Sequence, residues 1–583
     1  MTDKAYHRFR ALLHLWVLGA LLPVSMVFVM TQIIYGLIWK GCNWKRLFHV
    51  LRKSHATKKY TVVMTGGKMS KTLHLVRCLK SLAMEDPDVE MKIIVLESQR
   101  FRYSATRFSR CVDHFRVITS PRDDPDAYMQ DIYDCCRDHD ATHFLPVAAP
   151  VEAVYDAKLK GRLERELAVK VLHMDHTLCT ILDNKHAFGQ FLRDHTPART
   201  LRTHLVTSDE RARDYNVQLK KEKQSGLIKR NMILKNLQYD PIHRLDLFQL
   251  PTTNTRLDEY LQRISKNGNP ITEEEPWQLQ EFLADGTEYA AMIVVRSNHL
   301  VTMTCCPSSA SQLNYVHTEI HSIRTWVEDF LQGLRQSEHV LTGQLCFDFM
   351  VVQEGTDQVA YPIECNPRVH TQCSIYNRDD VRSTLGALLL EDHNTPKEQS
   401  MVELLRRDYD TQAGGKQLNV YWFYNEWFKI FPNSWLFLYN GDRDANERAK
   451  LAISDLPSTS MRVWAVGILY LPALLIFFTL TLPVWIVLLT FRLTSSAIHP
   501  MHSPSLTIQE DVYAMTFKMV QFLHRLSDLH HNVEGDTWDA DLVPFLAKNH
   551  VQVTSRLLAT LRTGVEWKKV DFAIGKVVEV GGD

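Results

Sequence analysis

The chain has 583 residues, which at about 150 residues per domain allows three or four domains with well-buried cores. Apolar residues make up 45% and charged residues 23%, close to the average of globular proteins, so collagen-like and low-complexity chains are excluded. The 67 basic residues balance the 67 acidic ones, and eleven cysteines are scattered without metal-binding spacing, so no nucleic-acid partner is expected and a reducing compartment is indicated.

The chain begins with a short tail, residues 1–10, followed by an uncharged run of 29 residues from Ala11 to Trp39. Roughly 20 apolar residues suffice for a helix to cross a bilayer, so residues 11–39 are predicted to form a membrane segment. Pro23 can kink a helix near the middle of this run, and a shallow hairpin that enters and leaves by one face fits as well as a full crossing. The basic residues between Lys40 and Lys53 favour a catalytic body on the cytosolic face.

From residue 56 onwards, short β-rich segments alternate with helical patterns, which is typical of an α/β fold with a doubly wound sheet. Tyr60–Met64, Met91–Leu96 and His143–Val147 are predicted strands. The first strand leads into TGGKMSK, residues 65–71. A phosphate-binding P-loop would need glycine where Val62 stands and a hydroxyl residue where Met69 stands, so we interpret the two glycines as a tight turn.

Two lysines further along, Lys185 and Lys235, each end a short apolar element, as a site for phosphate oxygens would require. Taken singly, either could be an ordinary surface lysine. The segment Gln280–Leu283 is consistent with an extended hinge whose backbone pairs with an adenine edge, and Glu288 is placed to accept hydrogen bonds from ribose hydroxyls.

Three oxygen-bearing side chains follow in two apolar strand patterns joined by a glycine turn. Glu364 and Asn366 alternate on one strand and so project from the same face, while Asp348 on the neighbouring strand can complete the cluster. Hard oxygen ligands of this kind suit Mg²⁺ bridged to phosphates. Arg368 continues the same spacing. The alternative is an ordinary hairpin with a solvated acidic edge.

The remainder of the chain contains a second uncharged run. Residues 391–460 are a polar linker and an aromatic-rich segment, and Val463–Phe491 is again 29 residues without a charge. Residues 461–492 are therefore predicted as a second membrane segment, followed by a C-terminal helical region and tail at 493–583. If the tail completes the catalytic fold, this run must return to its own side of the membrane.

The ordered set Lys185, Lys235, Glu281, Glu288, Asp348, Glu364, Asn366 and Arg368 resembles the ATP-grasp superfamily. The resemblance implies a Rossmann-like pre-ATP-grasp domain at 56–170 and a two-lobed α+β ATP-grasp domain at 171–390, with ATP and Mg²⁺ as cofactors. It further implies the following roles: Lys185 and Lys235 on the ATP phosphates, Glu281, Phe282 and Leu283 at adenine, Glu288 at ribose, Asp348, Glu364 and Asn366 on Mg²⁺, and Arg368 near the acceptor phosphate.

Two further expectations concern loops. The segment after the second lysine, NLQYDPIHRLDL, has no glycine, unlike the flap of many grasp enzymes, and we expect His243 or Arg244 to reach the phosphates there, with a merely structural loop as the alternative. Ser308 and Ser309 lie between the hinge and the metal strands and are candidate acceptor contacts, although ordinary turn residues would look the same.

Several segments, among them TGGKMSKTLHL, LDNKHAF, TGQLCFDF and IECNPRVHT, resemble the mycosporine-glycine synthase family of ATP-grasp ligases. That resemblance implies joining of an amino acid, glycine, to the cyclohexenone 4-deoxygadusol at a membrane-attached, ADP-forming enzyme. Alternatives are an ATP-grasp ligase with other substrates, such as a dipeptide-type carboxylate-amine ligase, a non-catalytic nucleotide-sensing membrane protein, and a lipid-facing structural protein with a decayed site.

Overall fold

The computed structural model describes residues 3–39, 57–147, 152–237, 247–308, 314–377, 379–390, 419–422, 541–571 and 576–579, with the single positions 472, 476 and 479. The elements nearest the N-terminus are two consecutive helices, Asp3–Ala20 and Leu22–Trp39. Of the described residues, one stretch, Lys4–Thr31, is long and apolar enough to cross a bilayer, and half of its most apolar window is buried inside the protein.

Because these helices are half buried in the protein, a free membrane crossing by residues 11–39 is not what the structure shows. A segment that crosses a bilayer alone would expose its whole circumference to lipid, whereas Leu21, Val24 and Phe28 here belong to the protein core. Length and composition suggested a membrane segment because neither reveals what packs on a helix. The second predicted membrane segment, 461–492, lies outside the described residues except for the three single positions.

A five-stranded parallel sheet follows, with the strands in the order β3-β2-β1-β4-β5. Alternate residues of β1 and β2 enter two different core clusters, one on each face, so both faces are covered. Helices Ser70–Glu85, Pro125–Asp138 and Glu152–Leu167 make the connections. The strands are β1 Lys58–Met64, β2 Val89–Ser98, β3 His114–Ile118, β4 His143–Leu145 and β5 Lys170–Val171.

The predicted strands at 60–64, 91–96 and 143–147 are therefore present, and β3 is an addition. This edge strand is mostly exposed, so its sequence HFRVI carries little apolar pattern. The predicted tight turn is also present, because Gly66 has φ +73° and a Cβ there would overlap the backbone carbonyl oxygen of Val147. The glycine therefore serves chain geometry at the carboxyl end of β1.

Two antiparallel sheets of four strands make up the middle of the chain. The first has the order β6-β9-β7-β8 and carries helices Asp209–Gln224 and Asn254–Lys266. The second has the order β11-β10-β13-β14 and packs against helix His321–Gln336 through Trp326, Phe330 and Phe347. Their strands are β6 Thr203–Val206, β7 Met232–Asn236, β8 Phe248–Leu250, β9 Trp277–Glu281, β10 Thr287–Arg296, β11 His299–Pro307, β13 Gly343–Glu354 and β14 Asp357–Asn366.

The remaining elements tie the chain together. Helices His176–Asp183 and Lys185–His195 lead into the middle region, and helix Asp379–Leu390 packs on Ser70–Glu85. Short pairs form between β12 Asn314–Val316 and β15 Asn419–Tyr421, and between β16 Trp567–Asp571 and β17 Lys576–Glu579. Before β16 come the α-helix Val543–Ala547, a π-helical turn Lys548–Val553 and the α-helix Thr554–Thr563.

The C-terminal segment is attached to the parallel sheet by a buried ion pair. Nε of Arg77 lies 3.0 Å from Oδ2 of Asp541, and both side chains are 1% exposed. Oδ2 of Asp541 also accepts from the hydroxyl of Ser109 at 2.6 Å. The domain boundaries inferred from the sequence stay predictions, but these contacts place Asp541 against helix Ser70–Glu85 and the loop at Ser109.

Candidate active site

Two lysines from different elements reach towards the strand pair β13–β14. Lys185 is the first residue of its helix, which Asn184 caps by accepting from the backbone N–H groups of His186 and Ala187, both at 3.0 Å. Nζ of Lys185 lies 2.9 Å from Oε2 of Glu364. Lys235 lies near the end of β7 and donates from Nζ to Oε1 of Gln280 at 2.9 Å.

The three predicted metal ligands come together. In the antiparallel register of β13 and β14, Asp348 stands opposite Glu364 and Cys346 opposite Asn366. Nδ2 of Asn366 donates to Oδ2 of Asp348 at 3.2 Å. A register shift next to Asp348 marks a local irregularity in the pairing, of the sort often found beside functional sites.

The two carboxyl groups do not ionise independently. Burial, followed by the charge of Glu364, raises the pKa of Asp348 well above its usual value. Burial also opposes ionisation of Glu364, but the ammonium groups of Lys185 and Lys235 outweigh it and lower the pKa of Glu364 to about 2. At neutral pH one carboxylate charge is therefore held by the lysines, and a second charge on Asp348 is disfavoured.

This arrangement fits a divalent cation. Two carboxyl groups that share a partly buried space are hard oxygen donors, and a cation would remove the penalty of ionising Asp348. The amide of Asn366 lies alongside, with its nitrogen towards Asp348 and its oxygen towards Arg368. Within the described ranges no cluster of three or more His, Cys, Asp or Glu side chains is placed to hold a metal ion. The set available here is thus two carboxylates and one amide.

The pKa values of Lys185 and Lys235 are shifted in opposite directions. The carboxylate of Glu364 raises the pKa of Lys185, which is therefore firmly charged. Burial, followed by repulsion from Lys185, lowers the pKa of Lys235 to about 8. A bound polyanion would restore the charge on Lys235, so this side chain is suited to a phosphate group that arrives with a ligand.

Arg368 continues the site beyond the end of β14. Its Nη1 lies 3.2 Å from Oδ1 of Asp183, and its Nη2 donates to Oδ1 of Asn366. Lys71 is a second basic side chain near Arg368, with Nζ donating to the carbonyl of Val369 at 2.6 Å. Burial, followed by the charge of Arg368, lowers the pKa of Lys71 to about 7. Arg368 is charged and paired with Asp183, whereas Lys71 is close to half-protonated at neutral pH.

The hinge residues lie at the junction of the two antiparallel sheets. The backbone N–H of Glu281 donates to the backbone carbonyl of Arg202 at 2.9 Å, and that of Phe282 donates to the backbone carbonyl of Asn231 at 2.8 Å. The side chain of Arg230 bridges Glu281 at 3.2 Å and Glu354 at 3.1 Å. These contacts fix the strand end and bring its backbone next to β13.

An apolar patch lies beside this hinge. Leu283 is buried with Leu201, Val352 and Val359, and Met350 packs against them. An apolar lining next to a strand end is suited to a planar base. It is consistent with the predicted adenine contact.

Glu288 and Ser308 are paired. The hydroxyl of Ser308 donates to Oε1 of Glu288 at 2.9 Å, and its backbone N–H donates to the carbonyl of Glu288 at 2.8 Å. Ser308 thus lies beside the residue predicted to hold ribose, and its assignment to the acceptor stays a prediction. Arg244 and Ser309, as well as His243, lie outside the described residues.

Sequence reasoning missed three polar residues of this site. Gln280 holds Lys235 and donates from Nε2 to the carbonyl of Ile363 at 3.3 Å, so it links the two sheets. Asp183 pairs with Arg368. Lys71 belongs to the TGGKMSK segment, which does not match the P-loop pattern. For Asp183, its position two residues before Lys185 was the available signal, whereas Gln280 lies 45 residues from Lys235 along the chain.

Comparison with known proteins gives weak likenesses. No family model matches the chain, and no curated protein matches it. Among solved structures, the biotin carboxylase domain of Hydrogenobacter thermophilus 2-oxoglutarate carboxylase, crystallised with MgADP, ADP and bicarbonate, is 10% identical over 58% of this chain and 71% of that chain, with a TM-score of 0.43.

Two other solved structures are similar at the same level. An L-amino acid ligase from Bacillus licheniformis is 12% identical over 58% of this chain and 75% of that chain, with a TM-score of 0.38. A phosphoribosylglycinamide synthetase from Anaerococcus prevotii is 12% identical over 57% of this chain and 75% of that chain, with a TM-score of 0.39. Similarities this low do not assign the chain to a family.

Proposed function

We propose that the protein is an ATP-dependent, ADP-forming ligase of the ATP-grasp type that joins an amine to a phosphate-activated acceptor. One observation carries the proposal. Two lysines from separate elements, Lys185 and Lys235, converge on a buried strand pair that presents Asp348, Glu364 and Asn366. Cations for phosphates next to oxygens for Mg²⁺ are what transfer of a phosphoryl group requires.

The ATP would lie between the two antiparallel sheets. Lys185 and Lys235 would contact its phosphate oxygens, the backbone from Glu281 to Leu283 would meet adenine, and Glu288 would accept from ribose. Each of these groups borders the junction that Gln280 and Arg230 hold together. Nucleotide binding would therefore depend on the two sheets keeping their relative position.

Mg²⁺ held by Asp348, Glu364 and Asn366 would supply charge neutralisation at the transferred phosphate. In the reaction, an acceptor oxygen attacks the γ-phosphorus of ATP, and ADP leaves with the electrons of the broken bond. The amine then attacks the activated carbon of the acceptor, and the phosphate leaves with its oxygen. Arg368, anchored by Asp183, would steady the acceptor phosphate during both displacements.

For the substrates, the segments quoted above support glycine and 4-deoxygadusol, which would give mycosporine-glycine. No described contact distinguishes this pair from the substrates of a dipeptide-type ligase. Ser308, Ser309 and Arg244 remain candidates for acceptor and phosphate contacts on the sequence evidence alone.

The proposal is tested by incubating the full chain in mild detergent with Mg-ATP, 4-deoxygadusol and a panel of amino acids. Formation of ADP and phosphate together with an ultraviolet-absorbing conjugate supports it, and glycine is the expected best amine. AMP and pyrophosphate would refute phosphoryl activation. If the protein turns over two amino acids without glycine, it is still a ligase, but glycine and 4-deoxygadusol are not its substrates.

A further inference from the structure

The N-terminal helices expose a stripe of large apolar side chains. Along Asp3–Ala20 and Leu22–Trp39 these residues recur on one side and are 40–52% exposed: Phe9, Leu12, Leu22, Met26, Met30 and Ile33. Ala11 to Trp39 contains no charged residue. An exposed apolar strip of this length is unusual on a soluble monomer and marks an interaction surface.

The other side of these helices is attached to the C-terminal segment along its length. The guanidinium of Arg10 lies 4.0 Å from the ring centroid of Trp567, and the ring centroids of Phe28 and Phe545 are 4.6 Å apart. Contacts at residue 10 and at residue 28 hold both parts of the helix pair flat on the protein. The helices cannot leave this surface to cross a bilayer without breaking these contacts.

The described residues on either side of the second uncharged run contact one helix, Ser70–Glu85. Before the run, Nε1 of Trp422 donates to Oγ of Ser70 at 3.1 Å, and after it Asp541 forms the buried ion pair with Arg77. Farther on, Nζ of Lys548 donates to the carbonyl of Lys68 at 3.0 Å. The run itself has 29 residues, fewer than the roughly 40 that two crossings need.

An arginine-rich loop packs on the C-terminal helix that Phe28 contacts. The loop that contains the 3₁₀ turn Ala105–Phe108 contacts helix Val543–Ala547, and the N–H of Ala105 donates to Oε1 of Gln552 at 2.8 Å. This loop exposes two aromatic rings, and its arginines are also exposed: Arg100, Arg102, Tyr103, Arg107, Phe108 and Arg110. Exposed arginines and aromatic rings of this kind match the headgroup region of an anionic bilayer.

We propose that the exposed stripe docks on the surface of a lipid bilayer, with the two N-terminal helices lying in the plane of one leaflet and the whole body on one side. The lipid surface is favoured over a soluble partner because the stripe is free of charge, because an arginine-rich loop is exposed on the C-terminal segment that holds these helices, and because the described residues before and after a second uncharged run lie on the same body. The proposal does not depend on the ligase assignment.

The first experiment uses the unmodified full chain and sealed vesicles of phosphatidylcholine with phosphatidylserine and a photoactivatable phosphatidylcholine. Lipid adducts mapped by mass spectrometry are expected on residues 9–33. Adducts confined to residues 461–492 would overturn the proposal for the N-terminal stripe, and so would their absence from both regions. Protection of a C-terminal tag from protease in these vesicles would overturn the one-sided topology.

A second experiment compares matched variants in vesicle flotation. M26E/M30E should reduce partitioning onto phosphatidylserine vesicles by roughly tenfold or more, because each change places a charge in the lipid interface. V217E/L227E, at positions 46% and 78% exposed away from the stripe, should float like the parent chain. Equal flotation of both variants overturns the proposal. If the parent chain dimerises without lipid and M26E/M30E is monomeric, the stripe binds a second copy instead.

Discussion

Replacing Glu364 by glutamine removes one negative charge from the centre of the candidate active site and keeps the size of the side chain. The carboxylate lies 2.9 Å from Nζ of Lys185, and the two side chains are 29% and 27% exposed. Breaking a fully buried pair costs about 3–5 kcal/mol, and this degree of exposure reduces the expected loss of unfolding free energy to about 1–2 kcal/mol. Relief of the repulsion with Asp348 offsets part of that loss.

The effect on phosphoryl transfer should be much larger than the effect on folding. Removing one group that stabilises charge in a transition state typically lowers kcat by about 10²–10³-fold. We therefore expect Glu364→Gln to remain folded, to need more Mg²⁺ for half-saturation, and to lose nearly all ADP formation. The pKa of Asp348 should fall in this variant, because the neighbouring negative charge no longer opposes its ionisation.

The measurements are thermal unfolding, calorimetric titration with MgADP, and ADP release. Glu319→Gln is the matched control, since the side chain of Glu319 is 28% exposed and is likewise paired, with Nε of Arg324 at 2.6 Å. The control should keep its activity and its Mg²⁺ dependence. If Glu364→Gln binds MgADP and turns over within about threefold of the parent chain, the metal assignment and the proposed phosphoryl transfer are wrong.

Three further predictions concern pH and stability. Because the pKa of Lys235 is about 8, its charge is present below pH 8 and lost above it, so affinity for ADP without metal should fall as pH rises through 8. Lys235→Arg should flatten this pH profile. An unchanged slope would contradict the assignment of Lys235 to a phosphate group. Gly66→Ala and Gly226→Ala both place a side chain at a positive φ, +73° and +75°, which costs about 1–2 kcal/mol. Of the two, only Gly66 faces a backbone carbonyl, so urea unfolding should show a clearly larger loss of unfolding free energy for Gly66→Ala. Equal losses would mean that the loop moves to make room for the Cβ. Asp541→Ala should cost about 3–5 kcal/mol because it removes the carboxylate that balances the charge of the buried Arg77 guanidinium. A loss below about 1 kcal/mol in denaturant titration would show that the C-terminal segment is only loosely attached.

Local pattern was enough for much of the α/β body. β1, β2 and β4 are short apolar segments between turn signals, and because they are buried their apolar residues predict them. The alternation around Asp348, Glu364 and Asn366 predicted two strands with a shared face, and the observed register brings them together. The edge strand β3 was missed because only Ile118 of its five residues is fully buried, so the apolar pattern is weak.

Partners that are distant in sequence could not be predicted. The pairing of Arg77 with Asp541 joins positions separated by 464 residues, and no sequence pattern near either residue predicts its partner. The same holds for Arg368 with Asp183, separated by 185 residues. In each case two charges meet only because packed elements carry them to one place.

By itself, the sequence determined which residues could bind phosphate and metal, since residue type and strand periodicity fix chemistry and facing direction. It also determined that residues 11–39 must avoid water somewhere. Only the tertiary structure decided where: one side of those helices packs on residues 541–567 and the other stays exposed. An apolar helix loses the same contact with water against protein or lipid, so composition cannot distinguish the two, whereas the packed neighbour does.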